Sequence, residues 1–116
     1  MDRHETIIEE ILKWINENIH DPLKVDDVAL RSGYSKWHLQ RMFHRVTKIS
    51  LGNYIRDKKL ELAAHDLLVS QEAVINISVR YGYESQQSFT RSFVRKYSIP
   101  PTTYRRIFTR QSNFRA

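Results

Sequence analysis

Gly33-Tyr34-Ser35-Lys36-Trp37-His38-Leu39-Gln40-Arg41-Met42-Phe43 and Gly82-Tyr83-Glu84-Ser85-Gln86-Gln87-Ser88-Phe89-Thr90-Arg91-Ser92-Phe93 are two versions of one pattern. A shift of 50 positions lays Ser35 on Ser85, Arg41 on Arg91, Phe43 on Phe93, Arg45 on Arg95, Ile49 on Ile99, Tyr54 on Tyr104 and Arg56 on Arg106. Leu39 meets Phe89 conservatively. Upstream of Ser35 the shift is 49, so that Val28 meets Ile77, Leu30 meets Val79, Arg31 meets Arg80 and Gly33-Tyr34 meets Gly82-Tyr83. One residue inserted in the turn reconciles the two shifts. Self-similarity of this density marks a duplicated structural unit. The unit reads as a short helix, a Gly-containing turn and a second helix. That is the helix-turn-helix plan, whose second helix lies in the major groove of DNA.

The second helix of each unit has two faces. On a wheel of about 100° per residue with Trp37 at zero, Arg41, His44 and Lys48 fall within about 40°, Gln40 about 60° to one side and Arg45 near about 80°. Leu39, Met42, Phe43 and Val46 lie opposite. In the second unit Gln87 takes the zero position, Thr90 and Arg91 flank it, Arg95 lies further round, and Phe89 and Phe93 face inward, with Gln86 leading the helix. Arg can grip guanine O6 and N7, Gln can pair with adenine, and an apolar group can touch a thymine methyl. Arg41 and Arg91 are therefore the first candidates for base reading, followed by Trp37, Gln40, Gln86, Gln87 and Thr90. Ser35 and Ser85 are N-cap residues. The helix starts they cap, near Lys36 and Gln86, offer free backbone N–H groups to phosphates. Lys48, Arg45 and Arg95 complete the expected backbone contacts, although Arg45 and Arg95 sit at the edge, where simple solvation is equally compatible. Lys96 falls on the inward side of its helix, against its charge.

Outward from the repeat, the chain reads as helices throughout. Ile7, Ile8, Ile11, Leu12, Ile15 and Ile19 recur at three and four residues, which predicts an amphipathic first helix ending before Asp21-Pro22. A second helix is expected over 25–32, closed by Gly33, and a third from Lys36 to Thr47. Ser50 can cap a fourth helix running to Val69. A fifth spans Ile75 to Tyr81, a sixth ends at Tyr97, and Pro100-Pro101 begins a short seventh. The expected architecture is all-α: seven helices forming two homeodomain-like helix-turn-helix subdomains, 1–49 and 71–108, joined by a linker helix over 50–70 and followed by a loose tail over 109–116. Three Gly, three Pro and no alternating β-branched run agree with helix rather than sheet.

Charge placement supports a polyanionic partner. The net charge is +6, yet eight of the 13 acidic residues lie within the first 27 positions. Val28 to Arg56 holds no acid but carries Arg31, Lys36, Arg41, Arg45, Lys48 and Arg56. Ser85 to Ala116 again holds none, with Arg91, Arg95, Lys96, Arg105, Arg106, Arg110 and Arg115. Two acid-free basic blocks suggest two contacts. The absence of Cys excludes disulfides and thiolate metal sites. The charged start, Met1-Asp2-Arg3-His4-Glu5, is unlike a signal peptide, and no apolar run approaches the roughly 20 residues that span a bilayer. A soluble cytoplasmic protein is expected, with no cofactor and no membrane partner.

The linker carries Leu51, Tyr54, Ile55, Leu62, Ala63, Leu67 and Leu68 with charges between them. A helix of about 20 residues spans roughly 30 Å, close to the roughly 34 Å of one turn of B-DNA. Such a strut suits a single chain reading two successive major-groove segments, which predicts an asymmetric site and, where strut and duplex misfit, a bend.

Together, the stretch 33–43, the run Leu51-Gly52-Asn53-Tyr54-Ile55-Arg56 and the run from Tyr81 to Arg91 resemble the AraC/XylS family of bacterial transcription regulators. The resemblance is closest to the short single-domain MarA, SoxS, Rob and RamA group and covers the chain from about Ile7 to Arg106. It implies a monomeric activator that binds degenerate promoter elements of about 20 base pairs, bends them and recruits RNA polymerase. It also implies control of efflux and stress-defence genes. By resemblance the reading positions are Trp37, Gln40 and Arg41, then Gln86, Gln87, Thr90 and Arg91. Most members add an effector-binding, dimerising domain. A chain of 116 residues leaves no room for one, so control by abundance rather than by a small-molecule ligand is expected.

Other classes fit less well. The histidines at positions 4, 20, 38, 44 and 65 form no metal-ligand spacing, no Gly-rich phosphate loop is present, and His65-Asp66 is expected on the exposed side of the linker helix. An enzyme is therefore not expected. A basic adaptor for acidic proteins or membranes would need no Gln and Thr beside Arg at groove-reading positions. An RNA-binding protein would present aromatic stacking platforms, which are missing.

Overall fold

The computed structural model describes the backbone of residues 2–114 and the side chains of residues 2–109. Its elements are α1 (Arg3–Glu17), α2 (Val25–Ser32), α3 (Lys36–Thr47), α4 (Leu51–Val69), α5 (Val74–Arg80), α6 (Gln86–Tyr97) and α7 (Pro101–Phe114). The described residues contain seven helices and no strand, in the expected order. None of these helices is long and apolar enough to cross a membrane. The chain divides into two compact units, Met1–Lys58 and Lys59–Ala116, so the two ends of α4 belong to different units.

In the first unit Asp2 caps α1 by accepting the Glu5 N–H at 2.8 Å. Ile8, Ile11 and Ile15 turn one face of α1 inward against α2 and α3. The helix ends at Glu17, earlier than Pro22 suggests. The Asn18 backbone N–H reaches the carbonyls of Trp14 and Ile15, and its side-chain amide donates to Trp14 O at 2.8 Å. This polar closure satisfies the last-turn carbonyls before proline can act. Ile19 is still buried, but from the loop. Leu23, Val28, Ala29, Leu39, Met42, Phe43, Leu51 and Ile55 complete the buried apolar set of this half.

The second unit is built around Leu60, Ala63, Ala64, Leu67, Val74, Ile77, Tyr81, Phe89 and Phe93. Asp66 is not on a solvated face as expected. It accepts Arg80 Nη1 at 3.0 Å and the Tyr81 hydroxyl at 2.6 Å, while Arg80 also pairs with Glu72. His65 alone of that pair is exposed. The hydrogen bond to Glu72, then that to Asp66, raises the Arg80 pKa further. Burial, then the bond to Asp66, pushes the Tyr81 phenol upward. Arg105 closes the carboxyl end of α4, donating through Nε to Leu67 O at 2.9 Å and through Nη2 to Glu72 O at 2.6 Å. Lys96, which the wheel turned inward, ends 4.0 Å from the Glu61 carboxylate and above the Tyr97 ring. α7 continues to Phe114, past the Phe108 end expected from the sequence, since no Gly or Pro interrupts it after Pro101. Of the expected tail, the side chains from position 110, Arg110 and Arg115 among them, lie outside the described residues.

Candidate nucleic-acid interface

The duplication is structural down to its caps. Gly33 and Gly82 hold the two turns at φ of 80° and 85°, where a side chain would be strained. Ser35 Oγ accepts the His38 N–H at 3.1 Å to start α3. Ser85 Oγ accepts the Ser88 N–H at 3.0 Å to start α6, and Ser88 returns a contact to the Ser85 N–H. Both helices then close on a non-glycine left-handed residue, Lys48 at φ 69° and Ser98 at φ 71°, which occupy equivalent positions. Leu51 and Pro101, equivalent again, are buried at the first positions of α4 and α7. Phe43 meets Tyr54 edge-on at 5.7 Å, and Phe93 meets Tyr104 edge-on at 5.3 Å. Tyr34 and Tyr83 pack at the turns, against His38 and Phe89 respectively.

These matched anchors fix which side of α3 and α6 remains open. On α3, Leu39, Met42 and Phe43 are buried, while Lys36, Trp37, Gln40, Arg41, His44, Arg45 and Lys48 are exposed. Trp37 is 66% exposed, an unusual position for so large an apolar ring. The Arg41 guanidinium lies 4.5 Å from its centroid, so the two side chains are stacked. Lys36 pairs with Asp26 at 3.0 Å across α2, both well exposed, a contact of small energy that phosphate can displace. An open groove of about 860 Å³ runs along this face and is lined by Trp37, Gln40, Arg41, Arg45 and Lys48 with three histidines.

On α6 the same side carries Gln86, Gln87, Arg91 and Arg95, all exposed. Thr90 is half-buried, so it presents less of itself than Gln40 does at the matching position. The candidate base readers of each unit thus share one exposed helix face, and Phe89 and Phe93 hold the opposite face in the core. The sequence reading missed one residue. His4 of α1 lines the groove and accepts a hydrogen bond from Arg45 at Nδ1. It lies outside the repeat, and no spacing within the chain points to it. Among the described residues no group of His, Asp or Glu is placed to hold a metal ion.

A helix-turn-helix domain family matches residues 28–107. The chain is 47% identical over 102 residues to the regulatory protein SoxS of Escherichia coli K12, covering 88% of this chain and 95% of that one. It is 49% identical over 98 residues to the multiple antibiotic resistance protein MarA of the same strain, covering 84% of this chain and 77% of that one. In fold it superposes on the DNA-binding domain of the global transcriptional factor AdpA in complex with a target DNA, with a TM-score of 0.81, 22% identity, and coverage of 90% and 94%. The family match and these relatives make the chain a DNA-binding transcription regulator rather than an enzyme. The chain belongs to the AraC/XylS-type helix-turn-helix regulators, together with SoxS and MarA.

Proposed function

We propose that this protein is a monomeric activator of stress-defence and multidrug-resistance genes that reads two adjacent major-groove segments of promoter DNA. Arg41 and Arg91 act as the principal base readers. Trp37 and Gln40 assist in the first segment, and Gln86, Gln87 and Thr90 in the second. Ser35, Lys36, Arg45, Lys48, Ser85 and Arg95 hold the phosphates. The observation that carries this reading is the pairing of one repeated scaffold with two different exposed faces: Trp-Gln-Arg on α3 and Gln-Gln-Arg on α6. Equal scaffolds dock equally, so unequal faces read unequal bases, and the site is asymmetric. The likeness to the multiple antibiotic resistance protein MarA supports regulation of resistance genes; control of stress genes and recruitment of RNA polymerase in the bacterial cytoplasm are what the family resemblance implies.

Footprinting on genomic promoter fragments tests the reading. The expected result is one asymmetric protected segment of about two helical turns per protein molecule, bound at least about a thousandfold more tightly than random DNA at moderate salt. Binding no tighter than to random DNA refutes it, and a palindromic footprint with two molecules refutes the monomer. A gel-phasing assay on the same fragment is expected to show a bend.

A further inference from the structure

The groove along α3 holds three imidazoles, His4, His38 and His44, beside Arg41, Arg45 and Lys48. His44 lies near the centre of the exposed face, and His38 and His4 flank its Arg45 edge. Every charged or titratable side chain lining the groove is cationic or an imidazole. The carboxylates on the helices packed against α3 are placed elsewhere. Asp26 pairs with Lys36 at 3.0 Å, Asp27 accepts the Lys24 N–H at 2.8 Å, and Asp2 accepts the Glu5 N–H at 2.8 Å. Glu5, Glu9, Glu10 and Glu17 of α1 and Asp57 of α4 do not line the groove. The second unit has nothing comparable, since His38 and His44 are replaced there by Ser88 and Val94 and Lys48 by Ser98.

Imidazole is the side chain that changes charge near neutrality, at an ordinary pKa of about 6.5. A polyanion laid along this groove favours the charged form of each ring, so binding draws in protons.

Resting on the DNA-binding reading above, we propose that His4, His38 and His44 extend the phosphate-holding surface of the first unit. Through them DNA binding is coupled to proton uptake, so that the α3 half of the site is gripped more tightly as the medium acidifies. The second unit supplies no part of this dependence.

The test is the dissociation constant for a footprinted site, measured by fluorescence anisotropy at fixed ionic strength from about pH 8 to about pH 6. Binding is expected to tighten by about tenfold or more over that range. Combining His4→Gln, His38→Gln and His44→Gln is expected to flatten the dependence of log Kd on pH, whereas His65→Gln, outside the groove, keeps the original slope. With the unaltered protein, scrambling the DNA segment contacted by α3 is expected to remove most of the slope, and scrambling the segment contacted by α6 to leave it. That arm holds even if the triple variant does not fold. A site preferred over random DNA but bound equally at both ends of the range overturns the proton linkage alone. No preference over random DNA at about pH 8 overturns the DNA reading instead. A slope that survives in the folded triple variant, or that follows the α6 segment, also overturns the proposal.

Discussion

Arg41→Ala removes two things from the first unit at once. One is a planar fork able to take a guanine edge, worth about 1–3 kcal/mol of discrimination. The other is the cation on the Trp37 ring, at 4.5 Å from its centroid. At an exposed site such a stack contributes about 0.5–1 kcal/mol, rising to about 2 kcal/mol once water is excluded, so DNA closing over it adds about 1 kcal/mol. The total expected loss on a specific site is about 2–4 kcal/mol, or roughly 30- to 700-fold in Kd. Random DNA, which meets Arg41 only as a charge, is expected to lose little. Arg41→Lys keeps the charge but not the fork or the flat stacking surface, so it is expected to lose base preference while keeping the salt dependence of binding. Trp37→Ala made alone and with Arg41→Ala closes a double-mutant cycle, with an expected coupling of about 1 kcal/mol. The assay is anisotropy titration on the footprinted site and on variants of it at each position, over a range of salt. Equal losses on specific and random DNA would demote Arg41 to a phosphate contact. Additivity within about 0.5 kcal/mol would show that the stack contributes nothing to recognition.

Other perturbations test the scaffold. Ser35→Ala and Ser85→Ala each delete an N-cap of a reading helix and are expected to cost about 1 kcal/mol in urea denaturation. Lys48→Gly and Ser98→Gly relieve equivalent left-handed positions and are expected to stabilise by up to about 1 kcal/mol each, yet only the first should weaken DNA binding. Arg105→Ala opens the carboxyl end of α4 and is expected to destabilise the second unit by about 2–3 kcal/mol, with Arg105→Lys failing to restore it, as read by denaturation. Ultraviolet titration is expected to find Tyr81 still protonated beyond the ordinary phenol range. Because that pKa is raised by folding, its contribution to stability is complete below about pH 10 and is lost as pH climbs through the folded value. Thermal melts at rising alkaline pH should therefore fall less steeply in Tyr81→Phe.

Most of the fold was legible because its signals are local and repeated. Ser35 and Ser85, Gly33 and Gly82, and the Phe43 and Phe93 positions each appear twice, and each has a fixed structural meaning. The misreadings share a cause: a side chain reached further than its periodicity could tell. Asn18 ended α1 before the more conspicuous Pro22 because its own amide and N–H reach Trp14 and Ile15. Helical periodicity gives Asp66 and Lys96 a face and nothing more. Their partners, Arg80 and Glu61, come from other helices, and a wheel has no information about neighbours. His4 is the same case at the candidate site. It stands 41 positions from Arg45, and only tertiary packing of α1 on α3 brings them together.

The repeat also explains why its two reading faces could diverge. The buried anchors of each unit, Leu39 and Phe43 in the first and Phe89 and Phe93 in the second, with the Phe–Tyr edge contacts, lie off the exposed side of α3 or α6. Substitution at Trp37, Gln40, Gln87 or Thr90 therefore alters what a helix can touch without unseating it. Lys48 is where the two demands collide. Its backbone would favour glycine at φ 69°, while the groove beside it holds a long cation. The matching Ser98 bears the same backbone strain with only a short hydroxyl side chain. In the proposed reading Lys48 adds a phosphate contact that Ser98 does not supply, so the first unit is expected to hold phosphate more strongly. Exchanging the two residues, Lys48→Ser with Ser98→Lys, leaves net charge and strain unchanged, so it should shift salt dependence from the α3 segment toward the α6 segment of the site. Unchanged salt dependence of both halves would refute that assignment.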